Sequence, residues 1–124
     1  ENPIEELVKF DEFSIQQKLQ DNAFLIVKYK EIYLKEKYAL DKLIALKEKT
    51  VAEQYDFYRF GYDKELRPQE IQQYYLLKDP KILKLNSLIR KQQLRVDFYE
   101  MCVDALTKMG WSMKSYIETS KIGM

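Results

Sequence analysis

Lys81, Lys84, Lys91 and Arg95 sit in a stretch, residues 81–96, that holds one further cation, Arg90, and no acid. On a helix with 3.6 residues per turn those four fall within an arc of about 80°. Like charges in one stripe repel each other mildly and are stabilised by a phosphate backbone. A second candidate lies upstream, where Lys42, Lys47, Lys49 and Arg59 surround Tyr55, Phe57, Tyr58, Phe60 and Tyr62. Exposed rings beside a basic groove are how single strands are held without their sequence being read. Each feature also has a plainer reading. Tyr55 and Tyr58 fall on an apolar helical stripe and suit a core, and lysine runs on helices are commonly just solvated.

Catalysis has less to work with. The chain has no His, so it lacks the ordinary general base near neutral pH, a Ser-His or Cys-His nucleophile, and an imidazole ligand for zinc. Three scattered glycines give no phosphate-cradling loop. Glu100 and Asp104 stand at helical spacing and could in principle share magnesium, but they read as a solvated face. Cys102 has no partner for an internal disulfide and suits a reducing cytoplasm. It is read as a packing residue. No enzyme, metal site or cofactor is expected.

The elements that carry these residues are helical. Gly and Pro occur three times each in 124 residues, and 33% of residues are charged. So few breakers among many Lys, Glu, Leu and Gln predict an all-α protein. Asn2 before Pro3 has the form of an N-cap opening a short acidic helix to about Phe10. Ser14 with Gln17 forms a capping-box pattern, and a long helix follows to about Arg59. Its apolar stripe includes Leu25, Ile32, Ala39 and Leu46, with Tyr33, Leu40, Ile44, Val51, Tyr55 and Tyr58 alongside. Gly61 is the expected stop, residues 62–67 a polar loop, and Pro68 the start of a helical segment ending near Lys78. Asp79-Pro80 is a second cap-and-start pair. Gly110 is expected to end that helix, with Ser112 capping a last short helix.

The helix after Pro80 carries four heptads. Ile82, Ile89, Val96 and Val103 recur every seven residues and are all β-branched, and Leu85, Gln92, Tyr99 and Leu106 interleave with them. Such a seam is the signature of helices wound around one another. Leu88, Cys102 and Met109 widen the sticky face, which predicts burial against other copies of this chain. Gln92 either fixes register or oligomer number, as buried polar seam residues do, or occupies a wet position. There is no run of 18 apolar residues, hence no expected membrane span, and no signal-peptide pattern at the acidic start. The net charge of +1 hides a segregation: residues 1–27 come to −4, 28–49 to +3, 50–80 to −2, 81–96 to +5 and the remainder to −1. Acidic and basic segments in one small chain point to a polyanion partner or to copies meeting head to tail.

Two stretches resemble a known family. Asp97-Phe98-Tyr99-Glu100-Met101-Cys102-Val103-Asp104-Ala105-Leu106, continuing through Lys108, Gly110, Trp111, Lys114 and Ile117, resembles the end of the UvsY recombination mediators of T-even-like phages. Asp56-Phe57-Tyr58 followed by Gly61 and Asp63 is similar to that family's Asp-aromatic-Tyr stretch and glycine loop. Length, the acidic amino-terminal helix and the order of long helix, loop and long helix agree as well.

The resemblance implies a non-enzymatic accessory protein of homologous recombination. Such a protein binds single-stranded DNA as a ring-like homo-oligomer of more than two copies. It helps a UvsX-type recombinase displace the phage single-strand-binding protein and nucleate its filament, in the host bacterial cytoplasm if phage-encoded. At 124 residues the chain is one domain's worth, and one helical domain over residues 1–124 is expected. Residues 1–78 would hold the acidic helix, long helix, loop and DNA-binding part, and residues 79–124 the oligomerisation helix and a short last helix. The family's Lys-x-Arg pair before the Asp-aromatic-Tyr stretch is replaced here by Ala52 and Gln54. That charge is either lost or moved to Lys47, Lys49 and Arg59, or to the stripe from Lys81. A helical coiled-coil scaffold that never touches nucleic acid is the rival reading. It accounts for the heptads but not for the acid-free basic run.

Overall fold

The computed structural model describes the backbone of residues 3–122 and the side chains of residues 13–120. Among these, every regular element is helical. Helix α1 spans Pro3–Asp56, 54 residues without an internal Gly or Pro, and passes into a wider π-helical turn over Phe57–Gly61. After an irregular stretch, α2 (Pro68–Glu70), a second π-helical turn (Ile71–Tyr75) and α3 (Leu76–Lys78) lead to α4, Pro80–Ile122.

The expected breaks fall partly where the sequence put them. Asn2 lies outside the described residues. Ser14 does not open a second helix: α1 runs through it, and Gln17 donates instead to Asp21 Oδ1 at 3.2 Å. Gly61 does end its helical segment, without a left-handed backbone, since no described residue has positive φ. Pro68 starts a helical stretch at N1, and Asp79 caps α4 through Oδ1, which accepts the backbone N–H of Lys81 (2.9 Å) and Ile82 (3.1 Å). Gly110 is not a stop, and no separate helix starts at Ser112, because α4 continues to Ile122.

The chain folds into two compact units, one from the residues up to Leu34 with those from Phe98 onward, the other from Lys35–Asp97. In the first, Asn22, Gly110 and Ile117 are buried. The Asn22 amide donates to the Leu106 carbonyl at 3.0 Å, and Tyr29 and Tyr99 meet at 6.3 Å between ring centroids. A Cβ on Gly110 would lie 2.8 Å from Asn22 Oδ1. The glycine therefore serves close helix approach, which explains why it sits inside a helix despite its poor propensity.

In the second unit Leu40, Ile82, Leu85 and Val96 are buried, and Tyr58, Leu66 and Ile71 form a core joined by Tyr55, Tyr75 and Leu76. The inward line of α1 here is Glu36, Leu40, Leu43, Lys47, Thr50 and Gln54. It is far more polar than the stripe expected from apolar periodicity, and Leu46 and Ile44 of that stripe are exposed.

Candidate nucleic-acid interface

The aromatic segment separates into a buried part and an exposed part. Tyr58 is buried and donates its hydroxyl to Asp79 Oδ2 at 2.6 Å; Gln54 Nε2 donates to the same oxygen at 2.7 Å. Burial, then the hydrogen bond to Asp79, pushes the Tyr58 phenol up to about 12. Burial also pushes the Asp79 carboxyl up, but four hydrogen bonds, from Tyr58, Gln54, Ile82 and Lys81, outweigh it and hold the group below the usual carboxylate value. Tyr55 packs against the same core. Both residues are therefore structural, as their place on an apolar stripe suggested.

The exposed rings are Phe57, Phe60, Tyr62 and Tyr74, with Phe60 the most open at 81%. Phe57 and Tyr62 pack edge-on at 6.1 Å, and Tyr62 packs on Tyr75 at 5.5 Å, so the ring cluster is anchored to the core at one side. Arg59 donates to the Leu66 carbonyl at 3.0 Å and braces the loop, with its segment facing solvent. Lys78 lies 4.1 Å from the Tyr74 ring centroid. Sequence reasoning missed this ring and cation, although their spacing of four residues after Pro68 carries the signal.

The helix cations sort differently from the expectation. Lys47 lies half-buried on the inward line of α1. Lys42 and Lys49 are exposed, the first 4.6 Å from the Tyr38 ring centroid and the second 3.9 Å from Glu53. Lys81, Lys84 and Lys91 are exposed on α4. Arg95 forms a two-pronged pair with Glu36, Nη2 to Oε1 at 2.9 Å and Nε to Oε2 at 3.2 Å. Gln92 donates to the same carboxylate at 2.6 Å and to the Glu36 carbonyl at 2.8 Å. The Arg95 hydrogen bond, followed by that of Gln92, holds the Glu36 carboxyl below its ordinary value.

The heptad seam of α4 faces α1 of the same chain. Ile82, Leu85 and Val96 are buried, and Ile89, Gln92, Tyr99, Val103 and Leu106 are half-buried. Gln92 is half-buried in the seam and held by Glu36. Outside the seam α4 keeps large apolar side chains in solvent, among them Phe98, Met101, Met109 and Tyr116.

Glu100 and Asp104 line a pocket of ≈ 250 Å³ with Lys30, Tyr33, Leu34 and Val103. No group of three or more His, Cys, Asp or Glu stands close enough to hold a metal ion among the described residues. No helix among them is long and apolar enough to cross a membrane.

Every described element is helical, and exposed rings and exposed lysines share the Lys35–Asp97 unit. Residues 4–124 match the family described as recombination, repair and ssDNA binding protein UvsY, and the chain belongs to that family. No curated protein and no solved structure matches it.

Proposed function

We propose that this protein is a recombination mediator. It binds single-stranded DNA as a ring-like homo-oligomer and helps load a UvsX-type recombinase onto strands covered by the phage single-strand-binding protein. The observation that carries the reading is the family match over residues 4–124 together with the acid-free basic run of residues 81–96. Exposed Phe57, Phe60 and Tyr74 supply stacking surfaces for bases, and lysines supply phosphate neutralisation. Displacement draws on differential binding: a strand held on several copies at once is bound more tightly than any single site would hold it.

Assembly in this reading runs along α4. Ile82, Leu85 and Val96 are committed to α1, while half-buried Ile89, Tyr99, Val103 and Leu106 keep part of their surface for a second copy. Phe98, Met101 and Met109 extend that surface. The test is polarisation binding of labelled oligo-dT, followed by recombinase loading on strands coated with single-strand-binding protein. Faster filament nucleation with the protein present supports the mediator role, and an unchanged lag overturns it.

A further inference from the structure

Within the Lys35–Asp97 unit, α1 and α4 run antiparallel. Gln92 and Arg95 of α4 meet Glu36, whereas Asp79, just before the start of α4, meets Gln54, later on α1. Along α1 a lysine stands immediately before three of the inward residues: Lys35 before Glu36, Lys42 before Leu43 and Lys49 before Thr50. The same rule governs α4, where Lys81 precedes Ile82, Lys84 precedes Leu85, Lys91 precedes Gln92 and Arg95 precedes Val96.

One position on a helix is about 100° of rotation. In an antiparallel pair, residues that precede the seam on either helix turn to the same side, because the two helices wind in opposite senses when viewed from one end. The cations that precede inward residues on α1 and α4 therefore line one face of the unit in two columns, while Lys37 and Arg90, which follow Glu36 and Ile89, turn to the other side. Arg95 reaching across to Glu36 is a direct sign of that geometry. Lys35 and Lys49 are separated by about 21 Å along the axis at 1.5 Å per residue.

Most acids of the helix pair lie off this face, but Glu53, which precedes inward Gln54, and Asp56, seven residues after Lys49, lie on it at one end. Asp41, Glu48 and Asp97 each follow an inward residue, Leu40, Lys47 or Val96, and so turn to the opposite side. Glu53, paired with Lys49, stands at one end, and Glu36 lies in the seam against Arg95. Between the lysine columns, Leu46 and Leu88 also precede inward residues and are 47% and 40% exposed. The face thus reads as an apolar strip flanked on both sides by lysines.

We infer that single-stranded DNA lies along this face. Its phosphates sit on Lys35, Lys42 and Lys49 of α1 and on Lys81, Lys84 and Lys91 of α4, and its bases turn toward Leu46 and Leu88. The inference rests on the single-strand reading above and places the strand on the helix pair rather than only on the loop rings. A duplex keeps its base faces stacked inside and gains nothing from the apolar strip, so the face favours single strands.

The test compares the salt dependence of oligo-dT binding for the parent, for Lys35→Ala/Lys42→Ala/Lys49→Ala and for Lys81→Ala/Lys84→Ala/Lys91→Ala. All six side chains are exposed, and circular dichroism verifies that helix is retained. Each phosphate contact contributes about 0.7 to the slope of log affinity against log salt on single strands. Both triple variants are expected to flatten that slope by about 2 and to weaken low-salt binding at least about tenfold. A Phe60→Ala/Tyr74→Ala variant should keep the parental slope. If the parent binds steeply and either triple variant keeps its slope, the two-column face is wrong while the single-strand reading stands. A parent that binds duplex as tightly as oligo-dT overturns the base strip. A parent that binds no oligo-dT overturns the single-strand reading itself.

Discussion

The hydroxyl of Tyr58, two residues beyond the end of α1, reaches Asp79 Oδ2 at 2.6 Å, while the other oxygen of the same carboxylate caps α4. One side chain, 2% exposed, thereby ties the aromatic segment to the start of the basic helix. Asp79→Ala removes a helix cap, worth about 0.5–2 kcal/mol, and strands the Tyr58 hydroxyl, at about 1–3 kcal/mol. We expect a total loss of about 2–4 kcal/mol in urea unfolding. Tyr58→Phe should cost about 1 kcal/mol, and the double variant should cost less than the two added. Strict additivity would mean that the two groups do not act together.

The same pair predicts how stability depends on pH. Asp79 titrates below its ordinary 3.8 in the folded chain. The unfolded chain therefore takes up the proton first, and this contribution is present above that value and lost as pH falls through the lower folded one. Tyr58 is raised from 10.0 to about 12, so its contribution is complete below pH 10 and is lost as pH climbs toward 12. Unfolding midpoints followed across both ranges should show an acid limb reduced in Asp79→Asn and an alkaline limb reduced in Tyr58→Phe. Limbs untouched by either change would place the titrations elsewhere.

Gly110 makes a prediction of unusual sign. In a mid-helix position Ala is ordinarily better than Gly by about 1 kcal/mol. Here the new methyl would meet Asn22 Oδ1 at 2.8 Å, and Asn22 is fixed by its bond to the Leu106 carbonyl. Gly110→Ala should therefore destabilise by about 1–3 kcal/mol. Adding Asn22→Ala should recover part of that loss, since it removes the obstructing oxygen. A Gly110→Ala variant more stable than the parent would mean that the close approach is not maintained in solution.

Assembly separates from folding by the choice of face. Lysine at Ile89 and Val96 places charge in the seam that α1 already fills, Val96 being 4% exposed. It should cost several kcal/mol and melt the pair. Lysine at Phe98 and Met101, which are 57% and 69% exposed, should leave helicity intact and lower the mass seen by light scattering. An unchanged mass for the second variant would move the contact between copies to another surface.

Local signals were read well from the sequence because they act over a few residues. Asp79-Pro80 and Pro68 open helices where capping chemistry requires, and the seam of α4 is its least exposed line. The partner of that seam was not legible. The inward line of α1 is broken by Asn22, Glu36, Lys47, Thr50 and Gln54, and apolar periodicity does not register such positions. Asn22, Glu36 and Gln54 are satisfied by residues 84, 56 and 25 positions away, pairings that only the folded chain reveals. Apolar counting therefore selected Leu46 for the stripe, whereas the inward position beside it belongs to Lys47. The basic stripe of α4 was legible, but its continuation on Lys35, Lys42 and Lys49 needed the antiparallel register.

The most direct test of the central claim is polarisation binding of labelled oligo-dT by the assembled parent protein over a range of salt, with duplex of equal length alongside. The account predicts tight binding of the single strand, weaker binding of the duplex, and a steep linear loss of log affinity with log salt. No binding of oligo-dT at low salt, from protein whose assembly has been verified, would contradict it and leave a helical scaffold.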